Sequence, residues 1–337
     1  MILFLKILNS QWLKVNGKRF FTFCLLPFTL YFSSCTEEIK LDLNDSDVRL
    51  VVDGGIGMDV GVHTVRLSKT MSYFSTDMTV PYVSGAVVTI TEFDRMKEAT
   101  GNVFELNENP GKPGHYETES TVFGKQGYTY RLDVSNVEVG GHVTYSAEAF
   151  FPYIADKIDS VRPFWGPNLF GVMFGFELDS TDIHTGWNLC FWAQDPPTRE
   201  YYVFIPYQNG VALNDTLTNF FMMDDGMISE AGIGLDGLPI EFISDSSWVK
   251  IKEGDTLGLE IRSISEDYYR YINEFNTVYQ GANPMFGGAP ANVRGNVSNG
   301  AIGYFWAYGN RKAFGIASRR NLPPEWVFGY DEAVGGN

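Results

Sequence analysis

Tyr128-Thr129-Tyr130-Arg131-Leu132-Asp133-Val134 alternates without a break, with Tyr128, Tyr130, Leu132 and Val134 on one face. A period of two is the signature of a strand that rests one face on a core. Similar short apolar runs flank it: Arg49-Leu50-Val51-Val52, Val62 to Ser68, Ala86-Val87-Val88-Thr89-Ile90, and Val143 to Phe150. Between them stand Asp53-Gly54-Gly55, Ser84-Gly85, Asn109-Pro110-Gly111, Pro113-Gly114 and Gly140-Gly141. Short strands separated by glycine and proline turns predict a mainly β chain, with an immunoglobulin-like β-sandwich of about seven strands over 46–151.

Pro152-Tyr153-Ile154-Ala155-Asp156 reads as a hinge into a second β-rich, sandwich-like domain over 152–321. Its strand candidates are Ile158–Phe164, Val172–Glu177, Asn188–Ala193, Tyr201–Pro206, Thr256–Ser263, Ala301–Ala307 and Ala313–Ser318. Tyr201-Tyr202-Val203-Phe204-Ile205 is apolar on both faces, as a strand between two covering layers would be. Asn209-Gly210 predicts a tight hairpin after it. One packed helix is expected near 266–280: Ser265 is a good N-cap, Glu266 and Asp267 suit the first turn, and Tyr268, Ile272, Phe275 and Tyr279 form a stripe. The regions 207–256 and 281–300 are loop-rich and are the expected binding surface. Residues 322–337 form an aromatic tail that includes Trp326.

The first 34 residues read as a leader. Lys18-Arg19 precedes an apolar run from Phe20 to Phe32, whose 13 residues at ~1.5 Å each fall short of a ~30 Å hydrocarbon core. Pro27 inside it argues against a spanning helix. Ser33-Ser34-Cys35 then looks like the lipid-attachment box of a bacterial lipoprotein, with Phe32 bulkier than the usual residue there. On this reading Cys35 is acylated and anchors the protein to a membrane; the alternative is an ordinary signal peptide with an incidental cysteine. Met1 to Gly17 is either a long leader or an over-extended gene start. Glu37-Glu38 behind the cysteine resembles the export signal of Bacteroidota surface lipoproteins, and residues 35–45 read as an acidic tether.

Of 25 Lys and Arg, four lie before Cys35, whereas all 41 Asp and Glu lie after it, so the remaining 303 residues carry a net charge of −20. That charge repels phosphates, so nucleic acid partners are excluded. With Cys24 in the leader and Cys35 acylated, Cys190 has no disulfide partner, and its apolar setting reads as a buried structural thiol.

No catalytic motif is present: there is no His-Glu-x-x-His, Gly-x-Ser-x-Gly, phosphate loop or Cys-x-x-Cys. His63, His115, His142 and His184 are scattered and predict no metal site. Asp42, Asn44, Asp45 and Asp47 hint at calcium-loop spacing, but Asp47 stands where the loop glycine belongs. No cofactor is expected.

Leu50-Val51-Val52-Asp53-Gly54-Gly55-Ile56, Thr64-Val65-Arg66-Leu67-Ser68 and Val83-Ser84-Gly85-Ala86-Val87-Val88-Thr89-Ile90 resemble the opening blocks of a Bacteroidota lipoprotein family, domain of unknown function 4249. Gln194-Asp195-Pro196 before Tyr201-Tyr202, and Asn292 to Gly300 before Gly303-Tyr304-Phe305, agree with it. The resemblance implies an outer-membrane lipoprotein encoded beside a TonB-dependent receptor, and carries over no catalytic residue. The expected function is a non-enzymatic surface lipoprotein that assists that receptor or binds a small-molecule, glycan or peptide ligand in nutrient uptake. Tyr304, Trp306 and Trp326 are the contact candidates. A surface glycan or peptide hydrolase and an adhesion module are the alternatives.

Overall fold

The computed structural model describes residues 48–71, 79–154, 158–167, 185–193, 199–214, 216–226, 238–241, 251–279 and 293–321. Cys35, Glu37, Glu38, Trp326, His184, the Asp42–Asp47 cluster and the expected strand Val172–Glu177 lie outside them. The fold is mainly β, with one α-helix among the described residues.

The strands are β1 (Leu50–Gly57), β2 (Thr64–Lys69), β3 (Val87–Phe93), β4 (Ala99–Glu108), β5 (His115–Glu117), β6 (Thr129–Val139) and β7 (His142–Phe150), followed by β8 (Ile158–Pro167), β9 (Thr185–Ala193), β10 (Tyr201–Gln208), β11 (Val211–Ala212), β12 (Phe221–Asp224), β13 (Leu238–Glu241), β14 (Thr256–Ile264) and β15 (Ile302–Ile316). Helix α1 is Glu266–Tyr279. One sheet runs β11-β10-β14-β15-β1-β2-β5-β4-β3-β6-β7, with β12 on β10, and a smaller one runs β13-β9-β8. The pairing of β1 with β15 is parallel, from Val51 opposite Ile302 to Gly57 opposite Tyr308. Ser46–Asn337 accordingly packs as one compact unit.

The alternation that predicted β6 is realised, with Tyr130, Leu132 and Val134 all buried. They share one core with Leu50, Val52, Ile56, Val65 and Leu67 of β1 and β2, Val88 and Ile90 of β3, and Tyr145 and Ala147 of β7. Strands far apart along the sheet thus face each other across that core, so the sheet folds back on itself into two layers. The turn-back lies at β4 and β5, which pair only through Asn107 and Glu108.

The second half is layered around β10 and β14. Tyr202, Phe204, Leu257, Leu259 and Ile261 face Trp187, Leu189 and Phe191 of β9. Val203, Ile205 and Ile264 face Tyr268, Tyr271 and Ile272 of α1, together with Tyr304. Strand β10 is therefore covered on both sides, as its sequence requires. The hairpin turns at Asn209-Gly210, both at positive φ, and pairs Gln208 with Val211.

Two expectations are corrected. The expected strands Ala301–Ala307 and Ala313–Ser318 merge into one 15-residue strand, β15, which runs from Ile302 to Ile316. Asn310, Arg311 and Lys312 look like a polar break, yet Asn310 is buried because β14 supplies a charged partner, Glu260. The Glu260 carboxylate accepts from Tyr207 Oη (2.6 Å), Arg262 Nε (2.6 Å), Lys312 Nζ (3.2 Å) and Asn310 Nδ2 (3.3 Å). Asn310 Nδ2 also donates to Asp59 Oδ2 at 3.0 Å, tying the loop after β1 into the same cluster. In α1, Ser265 caps as expected, with the Tyr268 N–H donating to its Oγ at 3.3 Å. The buried stripe, however, is Tyr268, Tyr271 and Ile272, while Tyr279 is exposed beside Phe275. Only the first half of the helix crosses the sheet, so its last turn overhangs.

Candidate functional site

A cleft of about 270 Å³ lies where α1 meets the segment leading into β15. The segment is built from Val293-Arg294-Gly295-Asn296-Val297-Ser298-Asn299-Gly300, and its polar side chains replace ladder hydrogen bonds. Asn296 Nδ2 donates to the carbonyls of Glu148 and Phe305, both at 2.8 Å, and Asn296 Oδ1 accepts from the Phe305 N–H at 2.9 Å. Ser298 N–H donates to the Ser146 carbonyl at 2.8 Å, and Asn299 Nδ2 to the Thr144 carbonyl at 2.8 Å. One short stretch thus stitches β7 to β15 and forms one wall. Asn296→Ala removes three hydrogen bonds from a partly buried junction and is expected to cost about 2–3 kcal/mol, read from the denaturation midpoint.

The opposite wall is the polar face of α1, where Asp267, Arg270, Tyr271 and Glu274 follow at helical steps. Arg294 reaches across to it: its backbone N–H donates to Glu274 Oε2 at 3.1 Å and its Nη2 to Oε1 at 2.6 Å. These bonds hold the Glu274 carboxyl below the usual carboxylate range. Arg270 pairs with Glu266 and Asp267. The floor is aromatic, with the Tyr304 ring 4.9 Å from both Tyr268 and Tyr271. Burial pushes the hydroxyls of Tyr271 and Tyr304 up to about 12, so both stay protonated donors at neutral pH. Carboxylates, guanidinium groups and phenol hydroxyls around an aromatic floor suit recognition by hydrogen bonding.

The structure places Tyr304 in this cleft, though only as a floor 6% exposed. Trp306, two residues along the same face of β15, stacks on Tyr308 at 4.7 Å instead. Its ring fits because Gly55 lies opposite: a Cβ there would come within 2.4 Å of the indole. The sequence reading covered Arg294 and Asn296 only as part of the loop-rich region 281–300, took Asp267 only as a first-turn acid, and missed Glu148, Arg270, Tyr271 and Glu274. The steps of three and four among Asp267, Arg270 and Glu274 were the available signal for a polar helical face. Glu148 had none, because only the fold brings β7 here.

Among the described residues no group of three or more metal-ligating side chains converges. His63 is a packed histidine: its Nδ1 accepts from the Gly57 N–H at 3.2 Å and its Nε2 donates to the Val122 carbonyl at 3.0 Å. Burial lowers its pKa. Cys190 is fully buried in β9, and desolvation pushes its thiol up to about 12. Native protein treated with iodoacetamide at pH 8 is therefore expected to leave Cys190 unmodified, and denatured protein to alkylate it fully, by residue-resolved mass spectrometry.

The profile of a family described as Domain of unknown function (DUF4249) matches residues 36–313. The chain belongs to this family. The DUF4249 match spans β1 to β14, α1 and most of β15, and so includes both walls of the cleft and its floor. No curated protein and no solved structure matches the chain.

Proposed function

We propose that this DUF4249 protein is a non-enzymatic outer-membrane surface lipoprotein, an accessory or ligand-binding partner of a TonB-dependent receptor in nutrient uptake. Acyl chains on Cys35 anchor it, Glu37 and Glu38 direct it to the outer face, and the acidic tether joins the anchor to β1. The reading is carried by the cleft between α1 and the Arg294–Asn296 segment. Its Glu274 carboxylate is held below the usual range by Arg294, an arrangement for holding a polar group rather than for passing a proton. No helix among the described residues is long and apolar enough to cross a membrane, and an acyl anchor needs none.

Two measurements test it. Labelled palmitate is expected to enter the wild-type chain and not Cys35→Ala, which should shift from the membrane to the soluble fraction. Crosslinking in intact cells, then solubilisation and mass spectrometry, is expected to recover a TonB-dependent receptor, with less recovered from Arg294→Glu. Palmitate incorporation with no receptor recovered would retain the anchor and remove the partner.

A further inference from the structure

The groove beside β4 has no role in the reading above and does not depend on it. The ladder between β4 and β5 ends where Asn107 faces Glu117, and the Thr118 N–H then turns away to the His63 carbonyl. Past that point β4 and the Glu119–Val122 segment diverge, leaving a groove of about 290 Å³ lined by Val103, Phe104, Glu105, Asn107, Glu119 and Val122. Asn109 donates its N–H to His115, so the odd-numbered residues of β4 turn their backbone groups toward the β5 side. Val103 and Glu105 therefore aim N–H and C=O into the groove, and no strand among the described residues pairs with them there.

We propose that this open edge of β4 accepts a short extended segment of a partner protein in which basic and apolar side chains alternate. Backbone pairing with Val103 and Glu105 supplies the hydrogen bonds, as in strand addition to other sheet edges. The apolar side chains of the guest meet Phe104 and Val122 at the floor. The basic ones meet Glu105 and Glu119. A second copy is the wrong guest: with net charge −20 beyond Ser34, its strands bring more negative charge to an acidic groove.

The test uses the full chain and an end-capped eight-residue peptide of alternating Lys and Val, with a Glu/Val peptide as control. The Lys/Val peptide is expected to slow hydrogen exchange at the Val103 and Glu105 amides at least tenfold, and the control to leave them unchanged. Val103→Pro deletes the outward N–H while sparing the β3 ladder, and Glu105→Lys reverses the charge; each should weaken binding at least tenfold. Should Val103→Pro fail to fold, as judged by its melting transition, Glu105→Lys decides. Lack of protection at these two amides, equal binding of both peptides, or unchanged affinity in a folded variant overturns the proposal. Concentration-dependent protection without peptide would show a second copy at this edge and overturns it equally.

Discussion

Gly303→Ala is expected to be among the most damaging single substitutions in this chain, costing about 3 kcal/mol or more. Gly303 sits in β15 with φ +97°, which side chains other than hydrogen rarely adopt, and an added Cβ would meet the Val52 carbonyl oxygen at 1.9 Å. The clash is backbone against backbone, so no rotamer change relieves it. Its victim is the parallel β1–β15 ladder, in which Val52 lies opposite Gly303. The far side is closed too: a Cβ on Gly295 would meet the Gly303 carbonyl at 2.0 Å, so β15 cannot slide away from β1. Gly300→Ala is the control. Its φ is +71° but nothing lies within 4 Å of the added carbon, so only the left-handed strain of about 1–2 kcal/mol remains. Urea denaturation of the two variants should separate them clearly. Equal midpoints would show that β15 has room to shift.

Glu260→Ala is expected to cost about 3–5 kcal/mol, because it leaves Arg262 poorly solvated without its counter-charge. Glu260 is 1% exposed, and its partners come from three strands. Burial pushes its pKa up, but Arg262, Tyr207 and Lys312 together outweigh burial, and the net shift is down. The unfolded chain therefore takes up this proton at a higher pH than the folded one. Stability from Glu260 is present above the ordinary glutamate value of 4.5 and is lost as the pH falls below it through the depressed folded value. Glu92, buried and hydrogen-bonded to Asn102, Lys125, Thr100 and Tyr130, is shifted the same way. The informative quantity is thus the difference between wild type and Glu260→Gln. It should shrink as the pH is lowered from 6 to 3, measured by melting at each pH. A gap that stays constant would mean that Glu260 titrates alike in the folded and unfolded states.

Elements with one wet and one dry face, or two dry faces, were legible from the sequence. Alternation marked β6, and the doubly apolar Tyr201–Ile205 run marked β10. Strand β4 was not legible, because only Leu106 of its ten residues is buried and its hydrogen bonds leave no pattern in side-chain type. The unbroken β15 was hidden by Asn310 and Lys312, whose reason for being there is Glu260, some 50 residues earlier. The parallel join of β1 to β15 is a property of the whole chain, and no local window contains it. Of the contact candidates, Tyr304 reached the cleft and Trp306 went to packing against Tyr308. Residues 281–300 read as loop-rich, and 293–300 of them are described. The Asn and Ser side chains of 293–300 do the work of a strand's backbone, which sequence periodicity does not register.

The pairing of Val51 with Ile302 also imposes a timetable. A ribosome delivers β1 some 250 residues before its parallel neighbour, so the loop-closure entropy of that stretch must be overcome before the seam can zip. Refolding of this seam should be slow compared with the β6–β7 hairpin, and a nascent chain stopped before Ile302 would display β1 as a raw edge, inviting aggregation.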